Sequence, residues 1–108
     1  MLHFVKNSDA QENALRCHRA LSNFNRLSMI SIIASANKND VFINANILAD
    51  SMDIAQGLCS HHLSILKKAN LVRVVEVKIE TYMHKALYVD HNTFSQFIKD
   101  IQNIHGER

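Results

Sequence analysis

Proline is absent from this chain of 108 residues, and glycine occurs only at Gly57 and Gly106. Sandwiches and barrels depend on repeated tight turns built from those two residues, so their absence excludes such folds and favours a mainly helical domain. Turn and cap duty passes to eleven asparagines, among them Asn23, Asn25, Asn44, Asn46 and Asn70; asparagine suits both roles. No apolar run approaches the ~18 residues of a membrane span, and no stretch reads as a signal peptide. Cys17 and Cys59 form no C-x-x-C pair, so a cytoplasmic protein with reduced thiols is expected. Internal repeats and low-complexity tracts are also missing.

What is present fits one soluble domain over residues 1–108: 47% of residues are apolar and 20% charged, the balance of a chain with a core. The net charge of +2 is too small to identify a nucleic-acid binder by itself. Its distribution says more. Lys67, Lys68, Arg73, Lys78 and Lys85 face only Glu76 and Glu80 between Gly57 and Lys85, with His61, His62 and His84 alongside.

The order of elements follows from periodicity and caps. Residues 1–7 are expected to be a flexible tail, and Ser8 or Asp9 to cap a helix over 8–22 carrying Ala10, Ala14, Leu15, Cys17, His18 and Leu21. Asn23 or Asn25 restarts the pattern in an apolar helix containing Leu27, Met29, Ile30, Ile32 and Ile33, which belongs at the centre of the core. Val41-Phe42-Ile43 reads as a short strand, Asn44 as the N-cap of ANILADSM, and Asp53-Ile54 as a turn. The next helix spans 55–69 and ends at Asn70, a left-handed C-terminal position. Residues 71–77 and 85–89 form a hairpin joined by the glycine-free link Lys78 to His84. Asp90 or Asn92 caps a last helix over 91–105, whose stripe of Phe94, Phe97, Ile98, Ile101 and Ile104 is a packing face.

Within the 55–69 helix the stretch CSHHLSILKK raises the question of a reactive cluster. Stepping ~100° per residue from Cys59 places Leu66, Ala55, His62, Leu63 and Ala69 within ~80° of it. Gly57, Ser60, His61, Ser64 and Lys68 fall on the other side. The adjacent histidines thus have different surroundings, His61 outside and His62 at the edge of the core. An outer face of short hydroxyls, one imidazole and a lysine suits close approach to a negatively charged groove. With the helix and turn before it, this makes a helix-turn-helix whose second helix lies in a major groove, and the basic hairpin after it is a wing.

The stretches NRLSMISII, ILADSMDIAQGLCSHHLSILKKANLVRV and KALYVD resemble the ArsR/SmtB family of bacterial winged-helix repressors. Ser60-His61-His62-Leu63, with Leu66 and Leu71-Val72 at matching distances, carries the resemblance, which extends over about positions 20 to 90. It implies a mainly α fold with a β-hairpin wing, dimeric through the helices at 8–22 and 91–105. The helix-turn-helix would span 44–70 and the wing 71–89. It also implies repression at an inverted-repeat operator in double-stranded DNA, with release by an inducer. By position, Gln56, Ser60 and His61 match DNA-contacting places and Lys78 lies in the wing. Together with the angular assignment, the expected DNA-binding set is Gln56, Gly57, Ser60, His61, Ser64, Lys68 and Lys78.

The departures are specific. Gly57 stands where the family usually has serine, weakening the helix start by ~1 kcal/mol on a scale where alanine is zero, and Asn70 replaces the usual glycine. The family's Cys-x-Cys metal pair corresponds to Asn44 and Asn46, and of the last-helix zinc ligands only Asp90 is kept, with Asn103 and Gly106 in later positions. No metal and no cofactor are therefore expected. Cys59 and Cys17 could serve a redox switch, although a small buried hydrophobe is the plainer role. No phosphate loop, nucleophile elbow or triad is visible, so no catalytic residues and no enzyme activity are expected. The alternative to a repressor is a winged-helix protein-interaction module with weak DNA binding.

Overall fold

A computed structural model describes residues 2–106, and the side chains of 11–103 within them. Five helices and one hairpin follow in the order α1 (Leu2–Leu21), α2 (Phe24–Lys38), α3 (Ala45–Met52), α4 (Gln56–Lys68), β1 (Val72–Ile79), β2 (Tyr82–Val89) and α5 (His91–Gly106). This is the expected α+β winged helix. Helical backbone in α1 begins at Leu2, so residues 2–7 are helix and not the expected tail, and Ser8 and Asp9 lie inside the helix and do not cap it. Met1 is outside the described residues, as is the side chain of Ile104.

Three of the expected caps form because the capping side chain and its target are only three residues apart. Asn23 Oδ1 accepts from the Arg26 N–H at 3.2 Å, Asn44 Oδ1 from the Ile47 N–H at 2.8 Å and Asp90 Oδ1 from the Thr93 N–H at 3.1 Å. Each satisfies an N–H that the first helical turn leaves without a partner, worth roughly 1 kcal/mol.

The core is centred on the apolar α2, as its sequence implies. Met29 and Ile33 from α2, Leu48 from α3, Cys59 and Leu66 from α4, and Leu71 are its largest fully buried side chains. Such side chains stabilise the fold by about 1.5–3 kcal/mol each for the larger aliphatic ones. Among its described residues α1 buries only the small Ala14, Cys17 and Ala20, which permit a close approach but bury little area, and Leu21 packs partly buried against the core. The radius of gyration, 15.9 Å, and extents of 54 × 27 × 21 Å exceed the ~13 Å radius usual at this length. The excess reflects long terminal helices that pack on each other beside the main core.

The wing differs from the sequence expectation in two ways. First, the strands run to eight residues each and pair from Val72↔Val89 to Ile79↔Tyr82, so the link is Glu80-Thr81 and not Lys78 to His84. The tight turn needs a left-handed residue, and Glu80 supplies it at φ 59° without being glycine. Second, Val41-Phe42-Ile43 is not a strand, and among the described residues the sheet has two strands. That segment still supports the hairpin: Ile43 C=O accepts from the Leu87 N–H at 2.9 Å, and Phe42 meets His84 edge-on at 5.8 Å. Asn37, at the end of α2, clamps β2 with both ends of its amide. Its Nδ2 donates to Leu87 C=O at 3.0 Å, and its Oδ1 accepts from the Val89 N–H at 3.0 Å. Asn70 takes the left-handed conformation, φ 60°, at the junction of α4 and the wing, as its position implied.

Candidate nucleic-acid interface

The turn between α3 and α4 is made by Asp53, left-handed at φ 54°, whose N–H reaches back to Ala49 and Asp50 C=O. Ile54 N–H closes on Ala49 C=O at 3.1 Å, which ends α3 sharply and sets the entry of α4. Ala55 is the N-cap of α4 and offers no side-chain bond. It is exposed, a correction to its placement on the core face: the helix begins after it, so its direction does not follow the helical angle.

The rest of α4 divides as the angles require. Cys59, His62, Leu63 and Leu66 are buried, while Gln56, Gly57, Ser60, His61 and Lys68 are exposed and Ser64 is half-buried. A Cβ added at Gly57 would meet nothing within 4 Å, so no close approach requires glycine there. Lys78 is exposed on β1, opposite Met83. Lys67 and Lys85 were not among the expected site residues, yet they line one groove with Asn44, Asn46 and Val74 where α3, α4 and the wing meet. The basic surplus in the middle of the chain was their only sequence signal.

The inner histidine has a partner that periodicity does not reveal. Arg26 Nη1 donates to His62 Nδ1 at 3.2 Å, while Nε donates to Ala20 C=O at 2.5 Å and Nη2 to Arg19 C=O at 3.2 Å. One guanidinium thus joins the C-terminal end of α1 to α4, and the negative end of a helix is a favourable place for it. Burial, then the Arg26 charge, then His61 push the His62 pKa below its ordinary value. The neutral ring that results accepts at Nδ1 and carries its proton on Nε2. An arginine at the head of an otherwise apolar helix was the available clue.

Both thiols are buried and free. Cys17 Sγ lies 3.9 Å from Ala69 C=O and Cys59 Sγ 3.7 Å from Ala45 C=O. Burial raises the pKa of each, for Cys17 with opposition from Arg16 and a small addition from Asp100. The reactive thiolate is therefore disfavoured at both positions.

Among the described residues no helix is long and apolar enough to cross a membrane. Residues 46–74, which span most of α3, the turn, α4 and the start of β1, match the family described as bacterial regulatory protein, arsR family. No curated protein matches the chain in sequence. Solved structures share the fold, among them the two that follow. An ArsR-like transcriptional regulator from Rhodococcus sp. RHA1 superposes with a TM-score of 0.69 at 16% identity, over 90% of this chain and 83% of that one. Reduced HlyU from Vibrio cholerae N16961 gives 0.60 at 17% identity, over 96% of this chain and 97% of that one. The expected resemblance therefore holds where it was strongest: residues 46–74 match the arsR family of bacterial regulatory proteins, the chain as a whole has the winged-helix fold of these two structures, and together they support a DNA-binding transcription regulator.

Proposed function

We propose that the chain is a cytoplasmic homodimeric repressor that binds an inverted-repeat operator with α4 in the major groove. The observation that carries this reading is the outer face of α4. Gln56, Gly57, Ser60 and His61 stand exposed together, a small polar surface on a helix held by its opposite face. Ser60 and His61 donate or accept at base edges, Gln56 suits an adenine edge, and Ser64 and Lys68 serve phosphates farther along. Lys78 on the wing adds a phosphate contact outside the groove. The first turn of α4, without a side-chain cap, leaves N–H groups for a phosphate oxygen.

Dimerisation is supported by α1 and α5. On α5, Ile98 and Ile101 remain exposed at 52% and 37%, beside a core that the described part of α1 only lightly covers. A two-fold dimer places two α4 helices in successive major grooves ~34 Å apart. Selection from a random duplex library, with sedimentation of the protein alone, tests both parts. The expected results are an inverted repeat with half-sites about one helical turn apart and a dimer. A monomer, or no enriched sequence, contradicts the proposal.

A second reading, a winged-helix module that binds protein, is favoured by the wing tip. Ile79, Tyr82 and Met83 are exposed at 40%, 70% and 59%, an apolar end for a DNA-contacting wing. Weak and non-selective DNA affinity in the purified dimer would favour it.

A further inference from the structure

We propose that the groove between α1 and the C-terminal half of α4 binds an amphipathic organic anion, a small molecule with an apolar body and one carboxylate, sulfonate or phosphate head. The groove encloses about 540 Å³, within the ~300–1,000 Å³ usual for small-ligand pockets. Its floor is apolar, with Leu15 from α1 and Ile65 from α4. Among the described residues its rim carries Arg16, Arg19, Arg26 and Lys68 against one carboxylate, Glu12, a surplus of positive charge beside apolar surface.

Arg26 gives the rim a fixed point. Its three bonds go to Ala20 C=O, Arg19 C=O and the His62 ring, all neutral acceptors, so its charge is not cancelled by them. Five N–H groups belong to a guanidinium, and the remaining ones are held in place to meet an oxyanion with little loss of side-chain entropy. The groove between α2 and α3 makes the contrast. It is similar in size, about 500 Å³, and is lined by Ile32, Val41, Ile47 and serines without a charged side chain. An uncharged apolar molecule has no reason to prefer the α1–α4 groove, whereas an anion does.

Titration of the full chain with decanoate, by calorimetry and by amide chemical shifts, tests the proposal. Saturable binding at one decanoate per chain is expected, with shifts centred on Leu15, Ile65 and Ala69. Arg19→Gln and Lys68→Gln change exposed side chains and should each weaken decanoate about tenfold, the loss of one charge-assisted contact; decanol should bind at least about tenfold more weakly than decanoate. Unchanged affinity in both variants, equal affinity for decanol, or no binding because a second copy of the chain covers the groove would each overturn it. The titration contains no DNA, so its outcome is separate from that of operator binding, and sedimentation of the same sample tells a groove covered by a second copy from one that does not bind.

Discussion

Arg26 Nη1 stands 3.2 Å from His62 Nδ1, and this contact joins the first helix, through the second, to the inner face of the helix proposed to read DNA. His62 accepts from a cation, so protonating it would place two positive groups together in a buried site.

The pH dependence follows from that contact. The folded pKa of His62 lies below the ordinary 6.5, so between the two values the unfolded chain binds more protons than the folded one. The stability contribution is complete above about pH 6.5 and is lost as pH falls through the lowered folded pKa. Urea unfolding at pH 7.5 and 5.5 should show a smaller drop in His62→Gln than in the parent. An equal drop in both proteins would assign the acid sensitivity to other groups.

Asn37 is the anchor of the wing. Asn37→Ala removes a donor and an acceptor and leaves Leu87 C=O and Val89 N–H without their partners, at a cost of about 1–3 kcal/mol. Hydrogen exchange should accelerate at Val89 more than at the amides inside α4. A uniform change across the chain would mean that the clamp stabilises the whole fold and not the hairpin in particular.

Much of this arrangement is legible in the sequence because it is local. Asn23, Asn44 and Asp90 cap helices only three residues away, and the split of Ser60 and His61 from Cys59 and His62 needs only the pitch of a helix. Arg26 and Asn37 are illegible for the opposite reason, since their partners His62, Leu87 and Val89 are distant along the chain. The wing turn escapes notice because left-handed Glu80 has none of the residue types that mark such a turn. The groove shared by Lys67 and Lys85 likewise depends on how α4 and β2 come together, which charge counting along the chain does not supply.

Glu80 carries backbone strain that glycine would relieve. A left-handed non-glycine residue costs roughly 1–2 kcal/mol, and glycine returns about 0.5–1 kcal/mol of that through unfolded-state entropy. Glu80→Gly should therefore raise stability by up to about 1 kcal/mol in thermal unfolding. A clear loss would show that the Glu80 side chain stabilises the turn.

Gly57 separates folding from recognition. With open space around it, Gly57→Ser should stabilise α4 by roughly 0.3–0.5 kcal/mol and add a hydroxyl to the exposed face. Operator affinity should rise with it. A more stable protein with weaker DNA binding would mean that the backbone at Gly57 approaches the duplex too closely for a side chain.

The most direct test of the central claim compares the parent with the Ser60→Ala/His61→Ala double variant on a selected operator and on unrelated duplex, over a range of salt. Both side chains are exposed, so the fold should be unchanged by circular dichroism. The account predicts a loss of about 1–3 kcal/mol per specific contact on the operator, with unrelated duplex and the salt slope little affected. Equal operator affinity in parent and variant would contradict it and remove the outer face of α4 from DNA recognition.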